Sequence, residues 1–131
     1  CAGVTIDLAQ TIQYEIDEKI KLAKETLEKR KYADSVYHSY NVFVHSAKLL
    51  LLNNGIKYNS QKTVIDEANE IIKGSNIKLK KPFKELVLDI KIELPREKFA
   101  EQYLTDALEV YELIKTKIND VIPDSEELVV A

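Results

Sequence analysis

A row of polar residues recurs along the sequence at steps of four and three positions: Asp34, His38, Asn41, His45 and Lys48. Side chains at these steps lie on one face of a helix. An Asp and a His one turn apart can share a hydrogen bond, which would orient the imidazole and raise its pKa, as an acid/base role requires. Such pairs are also common structural features, so the pattern leaves both interpretations of Asp34 and His38 open.

Metal chemistry is disfavoured by the spacing of the histidines and by the cysteine count. His38 and His45 lie seven residues apart, which is about 10.5 Å along a helix and too far for both to bind one ion. The single cysteine, Cys1, excludes an intrachain disulfide, a Cys-ligated iron–sulfur cluster and a Cys-rich zinc site. We therefore expect no metal or cofactor in this chain, and a reducing, cytoplasmic compartment.

Two clusters of basic residues could bind an anion. The first is Lys29, Arg30 and Lys31, and the second is Lys78, Lys80, Lys81 and Lys84. If they fold side by side, they could hold a phosphate or an RNA backbone. The alternative is that they are ordinary solvated cations, which acidic neighbours and a net charge of -3 favour.

Most tyrosines fall at helical spacing on apolar stripes: Tyr32, Tyr37, Tyr40, Tyr103 and Tyr111. Aromatic rings in such positions usually pack in a core with the hydroxyl reaching the surface. Stacking of one or two rings on a nucleobase is the alternative. Core packing is the prediction.

Five helices must position these residues. The apolar periodicity predicts helices over about residues 5–31, 31–54, 60–74, 82–94 and 96–122. Asn53, Asn54 and Gly55 suit the end of the second helix, and Ser60 can cap the third. Pro82 suits the first turn of the short fourth helix. The second helix carries a wide apolar stripe, and the polar row is predicted to lie on the face opposite that stripe.

The sequence has the size and composition of one helical domain. It has 131 residues, of which 45% are hydrophobic, and no apolar run approaches the length of a membrane span. The expected fold is an all-α, antiparallel up-and-down bundle with two long helix pairs and one or two short helices between them. We assign residues 1–4 to the remnant of an upstream linker, 5–122 to the bundle and 123–131 to an acidic tail. Because the sequence contains no Met, we expect a piece of a larger protein, with a lipoprotein anchored at Cys1 as the alternative.

The segment KYADSVYHSYNVFVHSAKLLLLNNG, residues 31–55, resembles the second helix of HEPN domains. The matching positions are Tyr32, Ala33, Tyr37, Tyr40, Phe43, Ala47, Lys48, Leu50, Leu51 and Gly55. Within that family the chain is most similar to the HEPN-like C-terminal domain of bacterial nitrite and sulfite reductases, through the segments FKELVL and FAEQY. The resemblance implies a helical bundle, frequent dimerisation and, in many members, RNA cleavage without a metal. It also implies that the polar row forms a groove or dimer face.

Ribonuclease activity in this family needs an Arg and a His separated by four to six residues, for phosphate stabilisation and proton transfer. Arg30 precedes His38 with seven residues between them, and no His follows Arg96. The resemblance therefore implies no catalytic residue in this chain. In a reductase parent, siroheme and an iron–sulfur cluster would be bound by other domains.

These observations lead to two hypotheses about function. The first is a non-catalytic module for interaction or assembly, which forms a homodimer or docks another protein or another domain of its parent, away from any membrane. The second is an HEPN domain that binds a nucleotide or RNA through the basic clusters and the His38/His45 row.

Overall fold

The structure, a computed structural model, describes the backbone of residues 2–57 and 60–121 and the side chains of residues 8–57 and 60–118. Within these residues the regular structure is entirely helical, which confirms the predicted all-α class. The helices are α1 (Ala2–Glu28), α2 (Tyr32–Asn53), α3 (Gln61–Lys73), α4 (Phe83–Leu88) and α5 (Glu97–Val121), and a 3₁₀ turn (Asp89–Lys91) follows α4. Among the described helices, none combines the length and the apolar composition that a membrane span requires.

Helices α1 and α2 form an antiparallel hairpin with a very short loop. The α1 helix ends at Glu28 because Arg30 takes a left-handed conformation, with φ 62°, and the amide of Lys31 donates back to the carbonyl of Thr26 at 2.8 Å. The sequence has no Gly or Asn at this turn, so the predicted end at residue 31 was too late. At its other end α1 begins at Ala2, and residues 2–4, which were assigned to a linker, lie in the helix.

Helix α2 lies at the centre and contacts α1, α3, α4 and α5. Toward α4 and α5 it buries aromatic side chains: the ring of Phe43 lies 4.9 Å from that of Tyr103 and 6.2 Å from that of Phe83, between centroids. Toward α1 it buries small residues, and the Ser35 hydroxyl donates to the carbonyl of Ala23 at 2.9 Å. Helix α2 is therefore covered on two sides, whereas the sequence predicted a single buried apolar stripe.

Helices α3 and α4 follow the predicted signals at their starts. Ser60 caps α3 by accepting a hydrogen bond from the amide of Thr63 at 3.2 Å, and Gly74 follows its last residue. The amide of Lys84, in the first turn of α4, donates to Asn69 Oδ1 at 3.0 Å, which fixes α4 against α3. The α4 helix is shorter than predicted, since it gives way to the 3₁₀ turn after Leu88.

Helix α5 lies beside α2 and runs in the same direction. Tyr32, at the start of α2, donates to Glu97 Oε2 at the start of α5 at 2.8 Å, and Phe43 meets Tyr103 further along both helices. The Tyr103 hydroxyl donates to the carbonyl of Val87 at 2.7 Å and so fastens α4 to α5. The predicted acidic tail, 123–131, lies outside the described residues.

Candidate functional site

The polar row of α2 lies along the boundary with α1 and not on a solvent-facing side opposite the core. The His45 side chain is 16% exposed, and its Nδ1 lies 3.9 Å from Glu15 Oε2 of α1. Asn41 is half-buried and donates from Nδ2 to the carbonyl of Tyr37 at 3.1 Å. Lys48 is also half-buried, whereas Asp34 is exposed. The row is therefore partly covered by the neighbouring helix of the same chain.

The structure gives Asp34 and His38 no shared hydrogen bond, so it does not support the acid/base interpretation of this pair. His38 Nδ1 is buried and has no hydrogen-bond partner among the described residues. Burial and the nearby charge of Lys19 lower the pKa of His38, while attraction to Asp34 only partly opposes them. The acid/base interpretation required a raised pKa, and the sequence does not reveal that α1 lies against the ring and brings a lysine beside it.

His45 has a similar environment. Burial lowers its pKa, Lys48 and Lys19 lower it further, and Glu15 opposes the shift. Its Nδ1, like that of His38, is buried without a hydrogen-bond partner in the described part of the chain. Both rings are therefore neutral near pH 7. Within the described residues no three His, Cys, Asp or Glu side chains cluster closely enough to hold a metal ion.

Three of the four lysines in the second basic cluster are engaged in ion pairs. Lys80 lies 2.9 Å from Asp106, Lys81 lies 2.7 Å from Asp89, and Lys84 lies 2.8 Å from Asp66. The Asp89 carboxylate raises the pKa of Lys81, and Lys84 lowers the pKa of Asp66. Lys78 is exposed, and the structure gives it no ion pair among the described residues.

The first basic cluster lies elsewhere on the molecule. Lys29, Arg30 and Lys31 are exposed in the loop between α1 and α2. Tyr32, the next residue, bonds Glu97 at the start of α5, whereas Lys80 pairs with Asp106. These two acceptors are nine residues apart, or about 13.5 Å along the helix. The residue that follows the first cluster and a member of the second therefore contact α5 more than two turns apart, which places the two clusters at different levels of the bundle.

The tyrosines divide into packed and exposed rings. Tyr103 and Tyr111 are buried, as predicted, and burial raises the pKa of each. The Tyr103 hydroxyl points inward and donates to the Val87 carbonyl. The Tyr111 hydroxyl donates to Oδ1 of the exposed Asp17 at 3.4 Å and so lies near the surface, as expected. Tyr37 is 58% exposed and departs from the predicted core position.

A groove that the sequence analysis missed lies between α3, the 75–82 linker, α4 and the 3₁₀ turn, with a volume of ≈ 980 Å³. We call it the α3–α4 groove. Apolar side chains form its floor: Ile72, Ile77, Leu79, Phe83, Leu88 and Ile92. Ile72 and Phe83 are buried, so the other four supply the accessible apolar surface. Lysines stand around it: Lys73, Lys78, Lys81 and Lys84. The alternation of apolar and cationic residues from Ile77 to Lys80 was the signal that could have indicated this groove.

The family model described as HEPN domain matches residues 17–121. The chain belongs to the HEPN family. The match begins inside α1, includes the central helix and extends to the last residue of α5, so the HEPN fold accounts for nearly the whole described bundle. No curated protein and no solved structure matches the chain.

Proposed function

We propose that this HEPN domain is a non-catalytic module for binding and assembly. The observation that carries the proposal is the absence of an Arg–His pair at the spacing that HEPN ribonucleases use. The chain has two arginines, Arg30 and Arg96, and neither is followed by a His after four to six residues. Phosphoryl chemistry without a metal needs both a proton-transfer group and a cation on the phosphate.

The environment of the histidines supports the same proposal. His38 and His45 lie beside Lys19, Glu15 and Lys48, and their Nδ1 atoms are buried. A general base must reach its substrate within hydrogen-bond distance. Each ring is half-buried and its Nδ1 is closed to a substrate, which suits packing better than proton transfer.

A binding role is supported by apolar side chains that the bundle leaves exposed. Ile92 is 76% exposed and Leu94 is also exposed, in the turn between the 3₁₀ segment and α5. Adjacent exposed apolar residues mark surfaces that contact another molecule more often than isolated ones do. The turn at Ile92 and Leu94 is the surface we favour.

We propose further that the module is the C-terminal domain of a cytoplasmic enzyme related to nitrite and sulfite reductases. Support comes from the segments FKELVL and FAEQY, whose residues Phe83, Leu86, Val87, Ala100 and Tyr103 are buried. Siroheme and an iron–sulfur cluster would then belong to other domains of that enzyme. Determining the gene sequence upstream of Cys1 tests this assignment: clustered Cys codons are expected, and a different upstream domain would overturn it.

Light scattering of the chain, alone and with a short single-stranded RNA at low salt, tests the proposed function. We expect a stable dimer whose mass is unchanged by RNA. A monomer that gains mass only when RNA is added would contradict the proposal.

RNA or nucleotide binding is the second candidate, and the α1–α2 loop is the observation in its favour. Lys29, Arg30 and Lys31 are consecutive, exposed and without an ion pair in the described residues. Three phosphate contacts to a single strand give a slope of about −2 in log K against log salt. If the chain binds RNA with this salt dependence, and a Lys29→Glu/Lys31→Glu variant no longer binds it, the second candidate is supported over the first.

A further inference from the structure

The α3–α4 groove offers apolar surface that no other part of the described chain covers. Ile92, at one end of its floor, is the most exposed large apolar side chain described, and Leu94 follows it in the same turn. Ile77 and Leu79 are half-buried along the linker side. A partner with apolar side chains would remove this surface from water, which is the dominant favourable contribution to most protein associations.

The charge around the groove is opposite in sign to that of the whole chain. Four lysines and two acidic residues, Glu85 and Asp89, line it, and Asp66 pairs with Lys84 from outside, which leaves a surplus of one positive charge. The chain as a whole carries a net charge of -3. Lys73 and Lys78 are exposed and have no ion pair among the described residues. These two lysines are available to a partner's carboxylates.

The same residues argue against a nucleic acid in this groove. Its aromatic residue, Phe83, is 1% exposed, so no ring is available for a base to stack on. The groove is lined by lysines and no arginine, so bidentate recognition of phosphate is absent. A phosphate backbone would also leave the apolar floor without apolar contacts.

We infer that the α3–α4 groove binds an acidic peptide segment with apolar side chains from a partner protein. The segment places its apolar residues against Ile92 and the floor, and its carboxylates beside Lys73 and Lys78. The inference rests on the proposed binding function and specifies the site and the chemistry of the partner. Complementary charge sets the orientation and the rate of association, and the apolar contacts supply most of the affinity.

Fluorescence anisotropy of the full chain with a labelled peptide of alternating Glu and Leu residues tests the inference. We expect saturable binding that weakens as salt rises. A peptide with Lys in place of Glu, and one with Ser in place of Leu, are expected to bind far more weakly. If the chain binds all three peptides equally well, or binds none of them, the inference is overturned.

Two variants locate the binding site. Ile92→Ser is expected to weaken binding about tenfold, because it removes the most exposed apolar side chain of the groove from the contact. Lys73→Glu/Lys78→Glu is expected to weaken binding and to remove its salt dependence. Tyr14→Ser and Lys21→Glu are the matched controls on α1, whose side chains are exposed and away from the groove. Circular dichroism checks that each variant folds.

The outcomes separate the inference from the function on which it rests. Peptide binding that survives both groove variants, or RNA binding that is lost in Lys73→Glu/Lys78→Glu, overturns the groove assignment. If the peptide does not bind while light scattering still finds a stable assembly, the assignment fails and the assembly function stands. Loss of peptide binding in the groove variants alone supports the inference.

Discussion

The two sides of helix α2 are built from different residues and satisfy their polar groups differently. Toward α4 and α5, Phe43, Phe83 and Tyr103 pack ring against ring, and the buried Tyr103 hydroxyl has a carbonyl partner. Along α1, the His38 and His45 Nδ1 atoms are buried without a partner among the described residues. The same is true of the hydroxyls of Ser39 and Ser46, which follow Ser35 along the helix.

This difference indicates where the stability of the bundle resides. The aromatic side combines large buried area with a satisfied hydrogen bond, and both favour a rigid contact. The α1 side allows close approach through small residues, but each unpaired buried polar atom opposes folding. We therefore expect the aromatic side to dominate stability and the α1 side to respond to pH.

Truncation of Phe43 is the strongest test of the aromatic side. Phe43→Ala removes a ring that is fully buried between α2, α4 and α5, and should lower the free energy of unfolding by about 3–5 kcal/mol. Urea denaturation measures the change. Tyr37→Ala, on the same helix but exposed, should change it by less than about 0.5 kcal/mol. An equal loss of unfolding free energy in the two variants would contradict the claim that the aromatic side of α2 dominates stability.

The hydrogen bond of Tyr103 gives a smaller effect on the same side. Tyr103→Phe keeps the ring but leaves the Val87 carbonyl without its donor, which should cost about 1–2 kcal/mol. Tyr14→Phe, at an exposed position, is the control and should leave the denaturation midpoint unchanged. A Tyr103→Phe variant as stable as the parent chain would mean that the 2.7 Å contact contributes nothing net.

Substitution of two serines of α2 by alanine should change the stability of the chain in opposite directions. Ser35→Ala removes a hydroxyl bonded to the Ala23 carbonyl and should lower stability by about 1 kcal/mol. Ser39→Ala removes a buried hydroxyl without a partner and should raise stability by up to about 1 kcal/mol. Both changes gain the same helix propensity, so the difference between them reports the hydrogen bond. Thermal unfolding of the two variants in parallel measures this difference. A Ser39→Ala variant less stable than Ser35→Ala would contradict the account.

The response to pH tests the α1 side alone. Because the folded pKa values of His38 and His45 lie below the unfolded value of 6.5, the unfolded chain binds more protons as pH falls. The contribution of the neutral histidines to stability is therefore complete above the unfolded pKa and is lost as the pH falls through their lowered folded pKa values. Glu15 and Asp34 reduce this effect, while Lys19 and Lys48 increase it. His45→Leu should make the free energy of unfolding depend less on pH, and an unchanged slope in this variant would contradict the assignment.

The helices were predictable because local residues determine where they begin and end. Gly55 takes the left-handed conformation, with φ 68°, that its position at the end of α2 suggested. Ser60 caps α3 as predicted. Arg30 has the same left-handed conformation without the Gly or Asn that normally marks it, so the end of α1 was misplaced.

The surroundings of the candidate site were not predictable, because they depend on how separate helices pack. The spacing of His38 and His45 showed that they share a side of α2, but not that Glu15 and Lys19 of α1 lie beside them. The ion pairs of Lys80, Lys81 and Lys84 join residues up to 26 positions apart. The groove needs α3, the linker and α4 together, and only its alternating linker segment is visible in the sequence.

Incubation of the chain in excess with end-labelled single-stranded RNA near pH 7 tests most directly the claim that this HEPN domain is non-catalytic. We predict that the RNA remains full length for as long as the protein remains folded. His38→Ala and His45→Ala variants, purified in the same way, control for a contaminating ribonuclease. RNA fragments produced by the parent chain and abolished in either variant would contradict the account, since they would place a histidine in catalysis.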